Sequence, residues 1–195
     1  MPDDAASVPL RPLRRSDADA VRRLWSRRFG GESSTQTNWI EAALAPSHSA
    51  AGFVAVPAPS DQIVGVSFLD VGSRTYAREY LGLATLDVRL PLAEQNGIFH
   101  LTCVRRDWEG RGLGSAFYER RLALLADRDV PYAAGIAWHR PEPPDSRVLF
   151  EKHEFTRHAT VERYYARTGT RPNCPLCSEE CTCTASLYGR PLGDA

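Results

Sequence analysis

The sequence has no apolar run near the roughly 20 residues that a membrane-spanning helix needs, and it has no internal repeat. Its formal net charge is zero, because 24 lysine and arginine residues balance 24 aspartate and glutamate residues. No overall field therefore favours a nucleic acid or an anionic membrane as a partner. Lysine is almost absent, since Lys152 is the only one, and a bias in genome composition explains this as well as function does.

The first seven residues, Met1 to Ser7, are small and acidic instead of basic and then apolar. This composition does not match a signal peptide, so we expect a cytoplasmic protein whose residues 1–7 are disordered. The remainder, residues 8–195, is long enough for one domain with a substantial core. Hydrophobic content of 43% and charged content of 25% are ordinary for a globular protein.

Cysteine is scarce except in one segment near the C-terminus. Cys103 stands alone, whereas the other four fall within ten residues, at Cys174, Cys177, Cys181 and Cys183. In a cytoplasmic protein such a cluster indicates metal ligands before disulfides. The Cys-x2-Cys pair bends the chain towards one centre, and a Cys-x-Cys pair on a strand places both sulfurs on one face. Four thiolates favour structural Zn2+, with an iron–sulfur cluster or reduced free thiols as alternatives.

Hydrophobic periodicity and turn residues predict an alternation of strands and helices. The predicted strands are 8–13, 52–56, 63–69, 98–104, 132–138, 160–166 and 184–188. The predicted helices are 16–30 with Ser16 as N-cap, 37–45, a short one at 77–81, 113–126, and a short one that contains residues 148–150 and has Asp145 or Ser146 as its cap. Residues 73–97 form an insertion without an assigned role, in which Glu79 and Tyr80 are expected to face a cleft. This order predicts an α/β sandwich around a mixed sheet.

Three glycines lie between the strand at 98–104 and the helix at 113–126, at Gly110, Gly112 and Gly114. They free the backbone to turn its N–H groups into one concavity, and a helix N-terminus there adds partial positive charge. Three arginines add further positive charge, namely Arg105, Arg106 and Arg111. This arrangement suits a diphosphate. The alternative is an ordinary strand-to-helix turn in which the glycines only permit close packing.

This stretch resembles the acyl-CoA signature of the GNAT superfamily of N-acyltransferases. Val104 matches the end of the family's strand, and Gly112 and Gly114 match its two helix-start positions. Glu109 departs from the pattern, because it stands where the family has Gln or Arg. A carboxylate near a diphosphate is unfavourable unless it points away.

A second segment, residues 146–155, resembles another GNAT pattern. Its matching residues are Leu149, Glu151, Lys152 and Phe155. Glu154 replaces the usual glycine. Phe150 stands where many members have the tyrosine that protonates the leaving thiolate, so Tyr118, Tyr132 or water are the remaining candidates for that role.

The resemblance extends from about residue 10 to residue 192 and implies a single-domain α/β fold with a mixed, mostly antiparallel central sheet flanked by helices. It implies transfer of an acetyl group from acetyl-CoA to a small-molecule or peptide amine by direct attack. The residues that it implies for cofactor binding are Cys103, Val104, Arg105, Arg111, Gly112, Leu113, Gly114, Ser115 and Ser146. The alternative is a catalytically silent module that senses acyl-CoA or binds a protein partner.

The residues that move protons are less closely specified by the resemblance. His100 on the central strand and His139 at the end of the next strand are candidate bases by position. The alternatives are a hydrogen-bonded core histidine for His100 and a surface-loop histidine for His139. Cys103 is a candidate acyl carrier or a small buried hydrophobe.

The cysteine segment, residues 167–183, is expected to connect the last two strands. In the GNAT fold this connection lies near the acceptor, so the metal is expected to order a wall of the substrate pocket without taking part in chemistry. Nucleic-acid binding through this segment is disfavoured, because Glu179 and Glu180 lie in it and few arginines are near.

Overall fold

The protein is described here by a computed structural model covering residues 8–30, 33–47, 49–140, 145–170, 174, 176, 177 and 180–193. In these ranges seven strands form one sheet in the order β1-β2-β3-β4-β5-β7-β6. The strands are β1 Leu10–Pro12, β2 Ala50–Ala55, β3 Gly65–Ser73, β4 Gln95–Val104, β5 Tyr132–Trp138, β6 Thr156–Val161 and β7 Ala185–Pro191. Every neighbouring pair is antiparallel except β4 and β5. The predicted mixed, mostly antiparallel sheet is confirmed.

Helices cover both faces of this sheet. They are α1 Ala18–Phe29, α2 Ser33–Leu44, α3 Arg74–Tyr80, α4 Leu83–Leu86, α5 Leu113–Ala126, α6 Ser146–Lys152 and α7 Tyr164–Thr168, with 3-10 turns at Arg15–Asp17 and Arg106–Trp108. Helices α1 and α2 pack on one face, beside α3, α4 and α7. Helices α5 and α6 pack on the opposite face. No helix in the described ranges has both the length and the apolar character that crossing a membrane requires.

Several predicted boundaries differ from the structure at the start of the chain. Ser16 lies inside the 3-10 turn instead of capping a helix, and Asp17 immediately precedes α1. The Asp17 carboxylate accepts the backbone N–H of Arg14 at 2.8 Å and two hydrogen bonds from Arg11, at 2.6 and 2.9 Å. It therefore holds the turn together, a function that a serine hydroxyl does not replace. Helix α2 begins at Ser33, four residues before the predicted start.

The segment predicted as an insertion, residues 73–97, is ordered by local capping. It forms α3 and α4, and β4 begins at Gln95, three residues earlier than expected. The buried Asn96 explains this start: its side-chain oxygen accepts the N–H of Ala93 at 3.0 Å and its amide donates to the Ala93 carbonyl at 2.9 Å. Both bonds close the polar turn before the strand.

The predicted strand at 160–166 is wrong. The strand is β6, Thr156–Val161, and the chain then turns into α7. The reason is tertiary packing: Tyr164 is fully buried and donates its hydroxyl to the carbonyl of Leu81 at 3.1 Å. The expectation for residues 1–7 lies outside the described residues.

The pairing of β4 with β5 covers only part of each strand. Parallel pairing joins residues 97–99 to residues 133–135 and goes no further in the described part of the chain. On its other edge β4 stays paired with β3 as far as Val104. A bulge in β4 sets His100 and Leu101 against the single residue Phe68 of β3, and bulges of this kind re-aim a strand. The sheet therefore opens between the C-terminal halves of β4 and β5.

Glu154 has a left-handed backbone (φ +61°) just after α6, at a position where helices usually end in glycine. Its carboxylate forms an ion pair with Arg190 at 3.1 Å. Because the Glu154 side chain is 80% exposed, this ion pair contributes little stability. We expect Glu154→Gly to raise the free energy of unfolding by about 0.5–1 kcal/mol. The substitution relieves about 1–2 kcal/mol of backbone strain at the positive φ. The greater conformational entropy of glycine in the unfolded chain offsets part of this gain. Urea denaturation measures this change.

Glu154→Ala is the matched control, because it removes the ion pair but keeps a Cβ at positive φ. Equal unfolding free energies for the alanine and glycine variants would contradict this account of the strain.

Candidate active site

The amide cradle comprises residues 110–115, at the turn from β4 into α5. Gly110 and Gly112 have left-handed φ values of +73° and +80°, and Gly112 is the N-cap of α5 without a side-chain cap. Among the described residues no carbonyl or side chain accepts a hydrogen bond from the backbone N–H groups of 110–115. A Cβ built on Gly110 or Gly112 would meet no described residue within 4 Å. The cradle is therefore an open concavity of N–H groups at a helix N-terminus, which fits a diphosphate.

Gly114 has a different role from its neighbours in the motif. A Cβ there would lie 2.9 Å from Cδ1 of Leu149, so the glycine allows α5 to pack closely on α6. Ser115 joins the same two helices, because its hydroxyl lies 2.8 Å from Nε2 of His153 in a buried position. The close-packing interpretation thus applies to Gly114, and the open concavity is formed at Gly110 and Gly112.

The charged side chains near the cradle have specific partners. Glu109 forms an ion pair with Arg28 of α1, which neutralises the carboxylate that departs from the GNAT pattern. Arg105 is paired with Asp107 at 2.7 Å and bonded to Gln62 at 3.0 Å. Arg111 lies over the Trp108 ring at 4.8 Å. Of the two predicted cofactor-binding arginines, Arg111 is the one whose guanidinium has only a ring contact in the described structure.

Cys103 and Val104 lie on the part of β4 that has separated from β5. Cys103 is fully buried, and its thiol points towards α1, with Sγ 3.9 Å from the carbonyl oxygen of Leu24. Burial raises the pKa of Cys103 to about 12. A protonated thiol directed away from the opening is a poor nucleophile, so the packing interpretation of Cys103 is favoured over an acyl carrier.

The buried Arg121 of α5 holds the bulge of β4 and was missed from the sequence. Its guanidinium donates to the carbonyls of Phe68 at 3.2 Å and His100 at 3.4 Å, and to the Thr102 hydroxyl at 2.8 Å. Its Cζ lies 4.2 Å from the centre of the Phe99 ring. Burial lowers the pKa of Arg121 to about 10. The sequence did contain a signal, because residue 121 lies four positions from both Phe117 and Leu125 on the apolar stripe of α5.

The structure places His100 at this bulge in a network with two residues that the sequence did not pair with it. Its Nδ1 lies 2.6 Å from the hydroxyl of Tyr80 on α3, and its Nε2 lies 2.7 Å from Oδ2 of Asp70 on β3. The Trp39 ring of α2 covers the imidazole with a centroid distance of 4.4 Å. The His100 side chain is 1% exposed, whereas that of Asp70 is 24% exposed.

Asp70 is held as a carboxylate by this network. Burial acts to raise the pKa of Asp70, but hydrogen bonding and charge from His100 and the Tyr76 hydroxyl outweigh it, so the pKa is lowered. Burial raises the pKa of Tyr80 well above its ordinary value, so Tyr80 remains a neutral phenol. Of the two residues expected to face a cleft, Tyr80 is half-buried in this network and Glu79 is exposed.

His139 follows the end of β5 and belongs to a separate network. Its Nε2 lies 2.8 Å from the hydroxyl of the buried Ser186, which in turn lies 2.8 Å from that of Thr160. Burial and, next, the charge of Arg147 lower the pKa of His139, so it is a neutral imidazole near pH 7. Within the described part of the chain, the two predicted histidines therefore share no hydrogen-bond partner.

Phe150 points towards the place where β4 and β5 separate. A Cβ built on Gly135, the last β5 residue paired with β4, would lie 2.6 Å from Cζ of Phe150. The ring stacks on Tyr188 at 4.8 Å, so the side chain is a packed core element that carries no hydroxyl to this point. Ser146, also predicted to contact the cofactor, is the first residue of α6, directly after its N-cap Asp145.

The alternative acids are buried phenols. The ring of Tyr118 contacts that of Phe150 edge-on at 5.2 Å, and burial raises the pKa of Tyr118. The hydroxyl of Tyr132 lies 3.3 Å from Nε2 of His158, and burial raises the pKa of Tyr132 to about 12.

The four clustered cysteines converge in space as predicted. Their sulfurs all lie within 4.8 Å of one another, with Cys174 and Cys177 at 3.6 and 3.7 Å from Cys183. Four sulfurs at 2.3 Å around one zinc ion would be about 3.8 Å apart, so the spacing fits a tetrahedral ion. The Cys177 N–H donates to the Cys174 carbonyl at 3.4 Å, which closes the Cys-x2-Cys turn. The cluster is able to hold a metal.

The cysteine cluster contacts two groups of helices on one face of the sheet. One group is α1 and α2, and the other is α3, α4 and α7. It packs on Trp138 at the end of β5, on Phe29 at the end of α1 and on Tyr165 of α7. Phe29 also belongs to the core beneath α1 and α2, and Tyr165 to the core beneath α3, α4 and α7. The cluster therefore lies in contact with both groups of helices, beside the end of β5.

Comparison with protein-family models gives no match, and comparison with curated proteins gives none. Solved structures do match. An insect protein assigned as arylalkylamine N-acetyltransferase 7, from the yellow fever mosquito Aedes aegypti, has a TM-score of 0.67 and 18% identity over 97% of this chain and 92% of its own.

Arabidopsis thaliana NAA60, in complex with acetyl-CoA, has a TM-score of 0.69 and 13% identity, covering 94% of this chain and 97% of its own. An acetyltransferase of the GNAT family from Streptococcus pneumoniae has a TM-score of 0.63 and 16% identity, covering 95% and 99%. Identities this low establish the fold alone, and that fold is the GNAT fold expected from the motif.

Proposed function

We propose that the protein is an N-acetyltransferase that moves an acetyl group from acetyl-CoA to the amine of a small molecule or peptide. The observation that carries this proposal is the amide cradle, residues 110–115, next to the opening between β4 and β5. The cradle suits the diphosphate of coenzyme A, and the opening exposes a strand edge to which an extended arm can add. The GNAT fold and the acetyl-CoA complex of the structurally similar NAA60 support this assignment.

Each part of the site then has a role that its own groups can perform. The N–H groups of residues 111–115 bind the diphosphate, with Arg111 beside them. The backbone of Cys103 and Val104 pairs with the pantetheine arm. Acetyl-CoA, when bound, supplies the acetyl group as a thioester. His100 and His139 are the candidate proton acceptors for the amine, and Ser146 lies at the start of α6 as a further contact of the cofactor.

The experiment that tests this function has two arms. Calorimetry measures whether acetyl-CoA binds, and a free-thiol assay measures release of coenzyme A with a panel of arylalkylamines, polyamines and peptide N-termini. Binding together with thiol release that depends on one class of amine supports the proposal. Absence of binding by both acetyl-CoA and CoA overturns it.

One observation favours a second function, a catalytically silent module that senses acyl-CoA or binds a protein partner. Phe150 brings an aromatic ring without a hydroxyl to the point where β4 and β5 separate. Acetyl-CoA binding without turnover on every amine of the panel would favour this alternative over the enzyme.

We further propose that the four-cysteine cluster binds a structural Zn2+ and braces one wall of the acceptor pocket. The sulfur spacing and the contacts to Phe29 and Tyr165 support this role. Four thiolates leave no coordination position for a substrate, so the metal has no direct part in acetyl transfer.

A further inference from the structure

Three polar side chains are connected in a row at the bulge of β4. Tyr80 lies 2.6 Å from one nitrogen of His100, and Asp70 lies 2.7 Å from the other. They come from three elements, α3, β4 and β3, so the row depends on the tertiary fold. It stands where β4 leaves β5, next to the opening assigned to the acetyl donor.

The chemistry of the partners determines the tautomer of His100. An ionised carboxylate only accepts hydrogen bonds, so Nε2 carries its proton towards Asp70. That contact has ion-pair distance but a poorer alignment than a linear hydrogen bond, as is common before substrate binds. Nδ1 is then the acceptor for the Tyr80 hydroxyl. A second donor, the Tyr76 hydroxyl, keeps Asp70 in place.

His100 is too enclosed to meet a substrate itself. Its side chain is 1% exposed, both ring nitrogens face protein groups, and Trp39 covers one face of the ring. A proton from outside has to arrive through a neighbour. Tyr80 is the neighbour that can accept a proton and at the same moment pass its own to Nδ1.

We propose that Tyr80, His100 and Asp70 form a proton relay for the acceptor amine, an inference that rests on the proposed acetyltransferase function. Tyr80 is the catalytic residue that contacts the amine. The Tyr80 oxygen accepts a proton from the ammonium form of the amine while the phenolic proton passes to Nδ1 of His100. The resulting imidazolium faces the Asp70 carboxylate. The free amine then forms its bond to the acetyl carbon, the C–S bond breaks, and a second proton from the nitrogen leaves with the thiolate as the thiol of coenzyme A. Asp70 is a positioning residue, because it acts only through His100.

The surroundings of the relay are consistent with a single transferable proton. Asp70 from β3 is the carboxylate at the ring, and it influences Tyr80 together with the phenols of Tyr76, Tyr164 and Tyr165 from α3 and α7. Trp39 from α2 is uncharged. From the opposite face, Arg121 of α5 reaches only the backbone carbonyl of His100. These groups leave Nδ1 of His100 as the acceptor for the proton that Tyr80 passes on.

Steady-state kinetics of variants over a range of pH test the relay. Tyr80→Phe is expected to lower kcat about 100-fold at pH 7 with KM for acetyl-CoA unchanged. The deficit is expected to shrink as the pH approaches the pKa of the amine, because a free amine needs no base. Tyr188→Phe is the matched control, since it removes a phenolic hydroxyl that also meets a carboxylate, donating to Glu151 at 2.8 Å, but stands outside the relay. It is expected to keep wild-type kinetics.

Asp70→Asn supplies a readout that a structural role alone would not give. Removing the carboxylate destabilises the imidazolium that forms when His100 takes up the proton. We therefore expect kcat to fall about 10-fold while KM for acetyl-CoA stays unchanged. A nitrogen-15 NMR spectrum of the wild-type protein is expected to show the Nε2–H tautomer of His100.

The outcomes separate this relay from the function on which it rests. Three results would overturn the relay alone if the wild-type enzyme is active. The first is a Tyr80→Phe variant with unchanged kcat, and the second is a Tyr80→Phe deficit in kcat that is equal at all pH values. The third is the Nδ1–H tautomer of His100. A wild-type protein that binds acetyl-CoA but acetylates no amine overturns the proposed function and the relay together.

Discussion

Gly112→Val is expected to weaken acetyl-CoA binding by at least about 30-fold, which corresponds to about 2 kcal/mol. Gly112 has a φ of +80°, and a Cβ at this position would lie more than 4 Å from every other described residue that it could meet. A β-branched side chain there both covers the amide cradle and strains the backbone that aims its N–H groups. Isothermal titration calorimetry with acetyl-CoA and with CoA measures the effect.

Gly169→Val is the control that separates strain from occlusion. Gly169 also has a positive φ, +65°, and its Cβ position is equally open, but it caps α7 on the opposite face of the sheet from α5. Both variants are expected to lose about 1–2 kcal/mol of unfolding free energy, and only Gly112→Val is expected to lose ligand affinity. Equal affinities for acetyl-CoA in the two variants would remove the amide cradle as the binding site.

Cys181→Ser is expected to release the metal and to lower the melting temperature by about 10 °C, or about 3 kcal/mol for a chain of this size. Cys181 is a buried member of the cluster, which packs on Trp138 and braces α1 and α7. Without the metal, the chain segment that carries the cysteines loses its crosslink. Elemental analysis of the purified protein, together with thermal unfolding before and after chelation, measures both quantities.

Cys103→Ala is the matched control, because it removes a buried thiol that lies outside the cluster. It is expected to retain one equivalent of zinc. Cys181→Ser is expected to raise KM for the acceptor while affinity for acetyl-CoA stays unchanged, because α5 and its cradle are not part of the cysteine cluster's packing. Less than half an equivalent of zinc or iron in the wild-type protein would contradict the metal site.

The alternation of strands and helices along most of the chain and the position of the turn from β4 into α5 could be predicted from the sequence because both depend on local signals. Glycine spacing, an apolar stripe and flanking turns mark the passage from β4 to α5 without knowledge of the rest of the chain. The sequence could not show that Glu109 is neutralised, because its partner Arg28 lies 81 residues earlier. An ion pair between residues far apart in the chain produces no periodic pattern in the sequence that could predict it.

The acceptor side of the site depends even more on long-range structure. Asp70 meets His100 only because β3 and β4 pair with a bulge at residues 100 and 101. A shift of one residue would turn the side chain to the other face of the sheet. The misassigned segment at 160–166 has the same origin, since burial of Tyr164 against Leu81 decides for helix where local propensity favoured strand.

The amide cradle also bears on how far the sequence of such a protein can diverge. Its donors are main-chain N–H groups, which every residue except proline carries, so substitutions along most of the turn leave them intact. Only the glycines that hold the backbone shape are restricted in residue type. Two chains can therefore keep the same concavity of N–H groups after almost all recognisable sequence likeness has been lost. Here identities of 13–18% accompany TM-scores of 0.61 to 0.69.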